Sequence, residues 1–165
     1  MLALGIDVGL RFCGYVVCEV NKLEVKLVKE GEVKPSPSLS LQKRIYFIYS
    51  QLDKIVDCFK PQIVVLEKLY SHYRHPTTIS LLSQVRGAIL LLVEKAGLEL
   101  FEYYPTRARK SFLGRGNADS AQIKKMAEAV LGKELLSKHT ADAFSLVVAL
   151  SHDLKTRRMK RCLRA

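Results

Sequence analysis

Apolar positions in the first fifth of the chain come in short blocks or alternate with polar ones, and none recurs at helical spacing. Residues 2–8, 14–20 and 23–33 are rich in Val, Leu and Ile, with breaks at Gly9 to Gly14 and at Asn21-Lys22. Together with the polar alternation in LEVKLVKEGEVK, this predicts a meander of three strands. The segment KPSPS ends it. From Ser40 the period changes, because Leu41, Ile45, Ile48, Leu52, Ile55, Val56 and Phe59 fall on one helical face. A strand QIVVLE follows, then a polar and aromatic loop, KLYSHYRHP, and a helix from about Thr77 to Ala96 closed by Gly97. The strand LELFEYY stops at Pro105. Beyond it come a short basic helix, a GRGNAD loop, a helix from about Ser120 with Asp119 and Gln122 as a capping box, and a last helix from about Thr140. Strands first in a meander and then alternating with helices imply an α/β fold, a mixed sheet with helices against its faces.

The helix from Thr77 is apolar over more than one face, with Ile79, Leu81, Leu82, Val85 and the run Ile89 to Val93. Such a helix needs cover nearly all round. It is either wholly internal or turns its outer face to a second copy of the chain, and the second reading is preferred.

Three acids stand where a folded chain resists charge: Asp7 within LALGIDVG, Glu67 at the end of IVVLE, and Asp142 three residues after His139 in KHTADAF. A carboxylate withdrawn from water costs several kcal/mol unless a positive partner meets it, and neither strand-like run offers Lys or Arg. A divalent cation supplies that partner. Asp7 shares its strand face with Gly5 and Gly9, which on this reading leave room for a ligand against the backbone. Glu67 reaches the C-terminal edge of a parallel strand, where ligands commonly bind. His139 and Asp142, spaced i, i+3, share one face at a helix start. Hard carboxylate oxygens suit Mg²⁺ or Mn²⁺, and two ions about 3.5 to 4 Å apart are a known device for phosphodiester hydrolysis.

Charge sharpens this picture. Lys and Arg number 27 against 16 Asp and Glu, a formal net charge of +11 that favours a polyanion such as nucleic acid. Six of those cations lie between Lys155 and Arg164 with no acid among them. The division that follows is one domain over 1–156 and a basic tail over 157–165, expected to be disordered. Cys13, Cys18, Cys58 and Cys162 show no paired spacing and are expected as reduced thiols. With no signal peptide evident and no apolar run near 20 residues, the expectation is a cytoplasmic protein with no membrane partner. A basic protein with a carboxylate cluster reads as a metal-dependent nuclease.

The segments GIDVG, Gly14-Tyr15, VLEKLY, SQVRG, EYYP, FLGRGNA and HTADAFSLVVALSH jointly resemble the RuvC-type Holliday-junction resolvases, crossover junction endodeoxyribonucleases of the ribonuclease H-like superfamily. The resemblance implies a five-stranded mixed sheet, a homodimer, and Mg²⁺-dependent symmetric nicking of four-way DNA junctions. Asp7, Glu67 and Asp142 match the family's catalytic carboxylates, and His139 a position where the family uses Asp or His. Tyr70 looks like the family's loop aromatic, placed to stack at the junction centre, and Arg74 shares that loop as a further nucleic-acid contact. Arg109 matches a basic position of the short helix, and Arg115, between Gly114 and Gly116, is a candidate phosphate contact. In the first motif Val8 replaces a proline and Cys13 a threonine. Ser120 stands where the family carries a second active-site lysine, so either Lys124, one turn on, supplies that charge to nucleic acid or the assistance is missing.

Three other readings compete. GIDVG is similar to the phosphate-binding turn of sugar kinases and actin-like ATPases, but the chain is short for their two lobes and has no second DxG. A module that grips branched DNA without cutting, and a ribonuclease H-like enzyme acting on RNA, stay open on residues alone. So do the preferred cleavage sequence and the need for a branch-migration motor.

Overall fold

The computed structural model describes the backbone of residues 1–21, 24–69 and 75–162, and side chains as far as residue 156. Ten elements follow one another: β1 Leu2–Asp7, β2 Cys13–Val20, β3 Val25–Val33, α1 Leu41–Phe59, β4 Ile63–Glu67, α2 Pro76–Lys95, β5 Glu99–Tyr103, α3 Pro105–Leu113, α4 Ser120–Leu131 and α5 Lys138–Cys162. The strands form one five-stranded sheet in the order β3-β2-β1-β4-β5. β1 to β3 pair antiparallel as the expected meander, whereas β4 joins β1 in parallel and β5 joins β4 in parallel. The sheet is mixed because α1 and α2 are crossovers, which return the chain to the end of the sheet where it started.

The period of two along each strand sorts side chains onto two faces. Leu4, Ile6, Val17, Val64 and Leu66 pack with Ile48, Leu52 and Val56 of α1 and with Val85, Ile89, Leu92 and Val93 of α2. On the other face Ala3, Val16, Cys18, Ile63 and Val65 pack with Ala143, Phe144, Val147 and Leu150 of α5 and with Ile123 and Ala127 of α4. Each cluster is aliphatic and closed to water, the arrangement that burial of apolar area favours at roughly 25 cal/mol per Å².

Local chemistry sets the element ends. Asp119 accepts from the Gln122 N–H at 2.8 Å while its own N–H donates to Gln122 Oε1 at 3.2 Å, so the expected capping box forms. Gly114 and Gly132 end α3 and α4 at φ of 76° and 65°, a left-handed conformation without penalty for glycine. α5 starts at Lys138, two residues before the expected Thr140, because the Ser137 hydroxyl meets the His139 and Thr140 N–H groups. Its backbone is helical through Cys162, and so runs into the segment read as a basic tail. α2 is long and apolar enough in composition to cross a membrane, yet Leu82, Val85, Ile89, Leu92 and Val93 bury its inner stripe in the fold. Leu91, at 64% exposure, and Leu90, at 37%, face outward.

Candidate active site

The strand register brings the first two acids together. Ile6 of β1 pairs with Leu66 of β4, so Asp7 and Glu67, next along two parallel strands, emerge side by side at the C-terminal edge. Leu4, Ile6, Val64 and Leu66 take the α1/α2 face, which sends Asp7 and Glu67 towards the α5 face. There the first turn of α5 presents His139 and Asp142.

Two glycines make the approach of α5 possible. A Cβ on Gly5 would meet Ala143 O and Val147 Cγ2 at 2.6 Å, and one on Gly14 would meet the His139 backbone carbon at 2.5 Å. The room at Gly5, expected to admit a ligand, is therefore filled by the helix. At Gly9 a Cβ would meet Phe12 O at 2.1 Å, so that glycine serves the tight turn after Asp7. The same glycines thus place α5, and through it the third and fourth site residues.

All four expected ligands, Asp7, Glu67, His139 and Asp142, line one open cleft of about 770 Å³. Around them stand Arg11, Phe12, Arg44, Leu81, Arg109 and Ser120. His139 Nδ1 lies 2.7 Å from Asp7 Oδ2, and the His139 ring stacks on Phe12 at 5.7 Å between centroids, 12° from parallel. The hydrogen bond to Asp7 raises the His139 pKa against the opposing effect of burial, with the Asp7, Glu32 and Asp142 charges adding to the rise. Burial raises the Asp142 pKa, as does the Asp7 charge, while a hydrogen bond from Ser120 and the charges of Arg109 and His139 oppose it.

The Asp7 charge contributes to both shifts, behind burial at Asp142 and beside its hydrogen bond at His139. Among the described residues no three His, Cys, Asp or Glu side chains stand close enough to grip an ion as they are, since His139 and Asp7 face each other directly. The donor chemistry nevertheless fits a hard divalent cation: three carboxylates and one imidazole line the cleft, with a proton on His139 favoured by the same charge.

The expected nucleic-acid contacts divide. Arg109 reaches the cleft from α3, its Nη1 donating to Ala118 O at 2.9 Å. Arg115 is exposed on the loop between Gly114 and Gly116, away from the cleft lining. Lys124 is not among the lining residues either, and its ammonium lies 3.4 Å from Glu128 one turn further along α4. At the position where the resemblance implies a lysine, the Ser120 hydroxyl meets Asp142 by a hydrogen bond. Tyr70 and Arg74 lie outside the described residues.

Sequence reasoning passed over Arg44 and Phe12. Arg44 comes from α1, on the sheet face opposite Arg109, and its Nη2 donates to Leu10 O at 3.0 Å, tying down the turn after Asp7. Spacing offered no signal for it, because on α1 it reads as an ordinary polar-face arginine. Two of the cysteines are inert by burial: Cys18 is enclosed, and the Cys13 thiol, enclosed and facing Asp7, is pushed up to about 12, whereas Cys58 is exposed.

The chain is similar to known proteins over nearly its whole length. The profile of the crossover junction endodeoxyribonuclease RuvC family matches residues 3–152. A relative from Caldicellulosiruptor saccharolyticus, described as crossover junction endodeoxyribonuclease RuvC, is 33% identical over 157 residues, which is 94% of this chain and 94% of that protein. The structure of Thermus thermophilus RuvC superposes with a TM-score of 0.80 at 26% identity, covering 96% of each chain. T. thermophilus RuvC in complex with Holliday junction substrate shares the fold, with a TM-score of 0.85 at 24% identity over 94% of this chain and 96% of that one. With a matching profile across nearly its whole length, a homologue above 30% identity and the same five-stranded fold, the chain belongs to the RuvC family of crossover junction endodeoxyribonucleases.

Proposed function

We propose that the protein resolves four-way DNA junctions by divalent-metal-dependent, symmetric hydrolysis, acting as a homodimer. What supports this reading most is one observation: Asp7, Glu67, His139 and Asp142, far apart in sequence, line a single cleft at the sheet edge. Asp7, Glu67 and Asp142, with His139, would hold Mg²⁺ or Mn²⁺, two ions per cleft. Bound there, the ions supply the positive charge and Lewis acidity that phosphodiester hydrolysis needs.

The chain's own groups do the rest. Arg109 and Arg44, reaching the cleft from helices on opposite faces of the sheet, flank the carboxylates and give a bound strand's phosphates a cation on either side. The hydrogen bond with Asp7 favours the protonated form of His139, and the imidazole would have to give up that proton to join the acids around a cation. Phe12 fixes the plane of the imidazole by stacking. The outward Leu90 and Leu91 of α2 give a second copy an apolar surface to cover, and two-fold symmetry would then set two clefts against opposing strands of a junction. The relative described above as bound to a Holliday junction has the same fold, which is why the junction is preferred here over linear duplex or RNA.

The test presents a mobile four-way junction, a linear duplex and an RNA duplex to the protein, with and without Mg²⁺. Paired nicks on the junction alone, in Mg²⁺ alone, are expected. Equal cleavage of RNA, or junction binding without any cutting in either Mg²⁺ or Mn²⁺, would replace this reading with one of its competitors.

A further inference from the structure

α2 turns Leu82, Val85, Ile89, Leu92 and Val93 to the sheet, and one charge sits within that stripe: Arg86, at 9% exposure. A guanidinium withdrawn from water costs several kcal/mol unless its donors and charge are met. Here they are met at two points. Nη1 donates to the backbone carbonyl of Glu67 at 2.6 Å, and Nη2 pairs with the Glu102 carboxylate.

These acceptors belong to neighbouring strands, β4 and β5, in the last paired rungs of the sheet, where Leu66 pairs with Glu102 and Glu67 with Tyr103. The Lys68 N–H still reaches Tyr103 O at 2.8 Å, one residue beyond the end of β4. Arg86 therefore grips β4 at the residue whose side chain enters the cleft, from the face opposite α5. Stability alone gives no reason for it, since an apolar residue of similar volume would fill the stripe and replacing a buried ion pair so is often neutral or stabilising. What such a residue could not do is hold a carbonyl and a carboxylate in one planar fork, the geometry peculiar to arginine.

We propose that Arg86 is a positioning residue for Glu67, clamping its backbone to Glu102 so that the Glu67 carboxylate enters the cleft in one fixed direction and holds a divalent cation tightly there. The proposal rests on the metal-nuclease reading of the cleft. Partners behind a ligand commonly set metal affinity by about tenfold or more.

The experiment compares the full chain with Arg86→Lys, which keeps the charge but loses the fork, and with Glu102→Gln, which keeps Arg86 and an acceptor. Three quantities are read: amide exchange across the sheet without metal, the Mn²⁺ concentration giving half of the full thermal shift, and junction affinity without metal. Arg86→Lys is expected to melt cooperatively and bind junction as the parent does. It should need about tenfold more Mn²⁺, with the Lys68 amide exchanging about tenfold faster and the β1 amides unchanged. Glu102→Gln should move both in the same direction by less. An unchanged Mn²⁺ requirement in a folded variant, or faster exchange spread over the whole sheet, overturns the clamp. Should Arg86→Lys fail to fold, an unchanged Mn²⁺ requirement in Glu102→Gln overturns it alone. A parent protein with no Mn²⁺ shift and no cleavage would instead refute the nuclease reading, and the Lys68 exchange would still decide whether the clamp exists.

Discussion

At the residue scale, the site shows which charges a sequence can reveal. Asp7 and Glu67 stand out because each interrupts an aliphatic run, and an acid in such a run demands a partner. Arg86 demands one equally, but its neighbours in SQVRG are mixed, and only the packed sheet shows that it faces inward. The choice between Ser120 and Lys124 was left open for a related reason: helical spacing places Lys124 near Ser120 without saying that Glu128, a further turn on, competes for it. Lys124→Ala is accordingly expected to leave single-turnover cleavage within about twofold of the parent, a change under 0.5 kcal/mol typical of a surface ion pair. A tenfold loss would return Lys124 to the site.

The pKa shifts of the metal-free protein give a second residue-scale prediction. His139 is raised in the fold, so its contribution to stability is present below the ordinary imidazole value and lost as pH rises through the folded one. Asp142 is raised as well, so the fold favours its protonated form and loses that preference as pH rises through the carboxylate range. Both run the same way. In EDTA, the parent should therefore lose thermal stability relative to Asp7→Asn as pH climbs from about 5 to about 8, because the variant lacks the carboxylate that leads the His139 shift and adds to the burial-driven shift of Asp142. Saturating Mg²⁺ should flatten the parent's profile. Parallel profiles for parent and variant in EDTA would show that the acids do not repel one another as described.

At the scale of elements, the three-strand meander and the helix periods were legible because alternation and helical spacing are written in side-chain order. The reason for the glycines was not. Gly5 looks like an opening in a strand and Gly14 like the end of a break between strands, whereas each is a contact surface for α5, a fact fixed by pairing over a separation in sequence that no local pattern records. Gly14→Ala would drive a methyl group into the His139 backbone, and relief of such crowding typically costs about 1 to 3 kcal/mol. The expected outcome is a lower melting temperature, with cleavage falling more than junction binding, because α5 can yield only by carrying His139 away from Asp7. Cleavage and binding unchanged in a fully stable Gly14→Ala protein would mean that the close packing does not set the site.

At the scale of the whole molecule, the outward apolar face of α2 was foreseeable from composition, though composition alone cannot separate a core helix from one that meets another protein. The fold divides the two faces of α2: its inner stripe is used against the sheet, while Leu91 remains exposed. Leu91→Glu should shift the protein towards monomer in sedimentation and reduce paired nicking of a junction, while leaving the melting temperature of the single chain within a few degrees, since Leu91 lies outside that chain's own core. An unaltered dimer would move the interface elsewhere, and a parent that sediments as a monomer at high concentration would remove it.

The most direct test of the central claim, that these acids converge to hold divalent cations against a DNA strand, is cleavage of a four-way junction in Mg²⁺ by the parent and by Asp7→Asn, with binding measured alongside. Paired nicking by the parent, and undiminished binding with nicking lost by at least about a thousandfold in the variant, is the predicted result. Nicking by Asp7→Asn near the parent rate would contradict it.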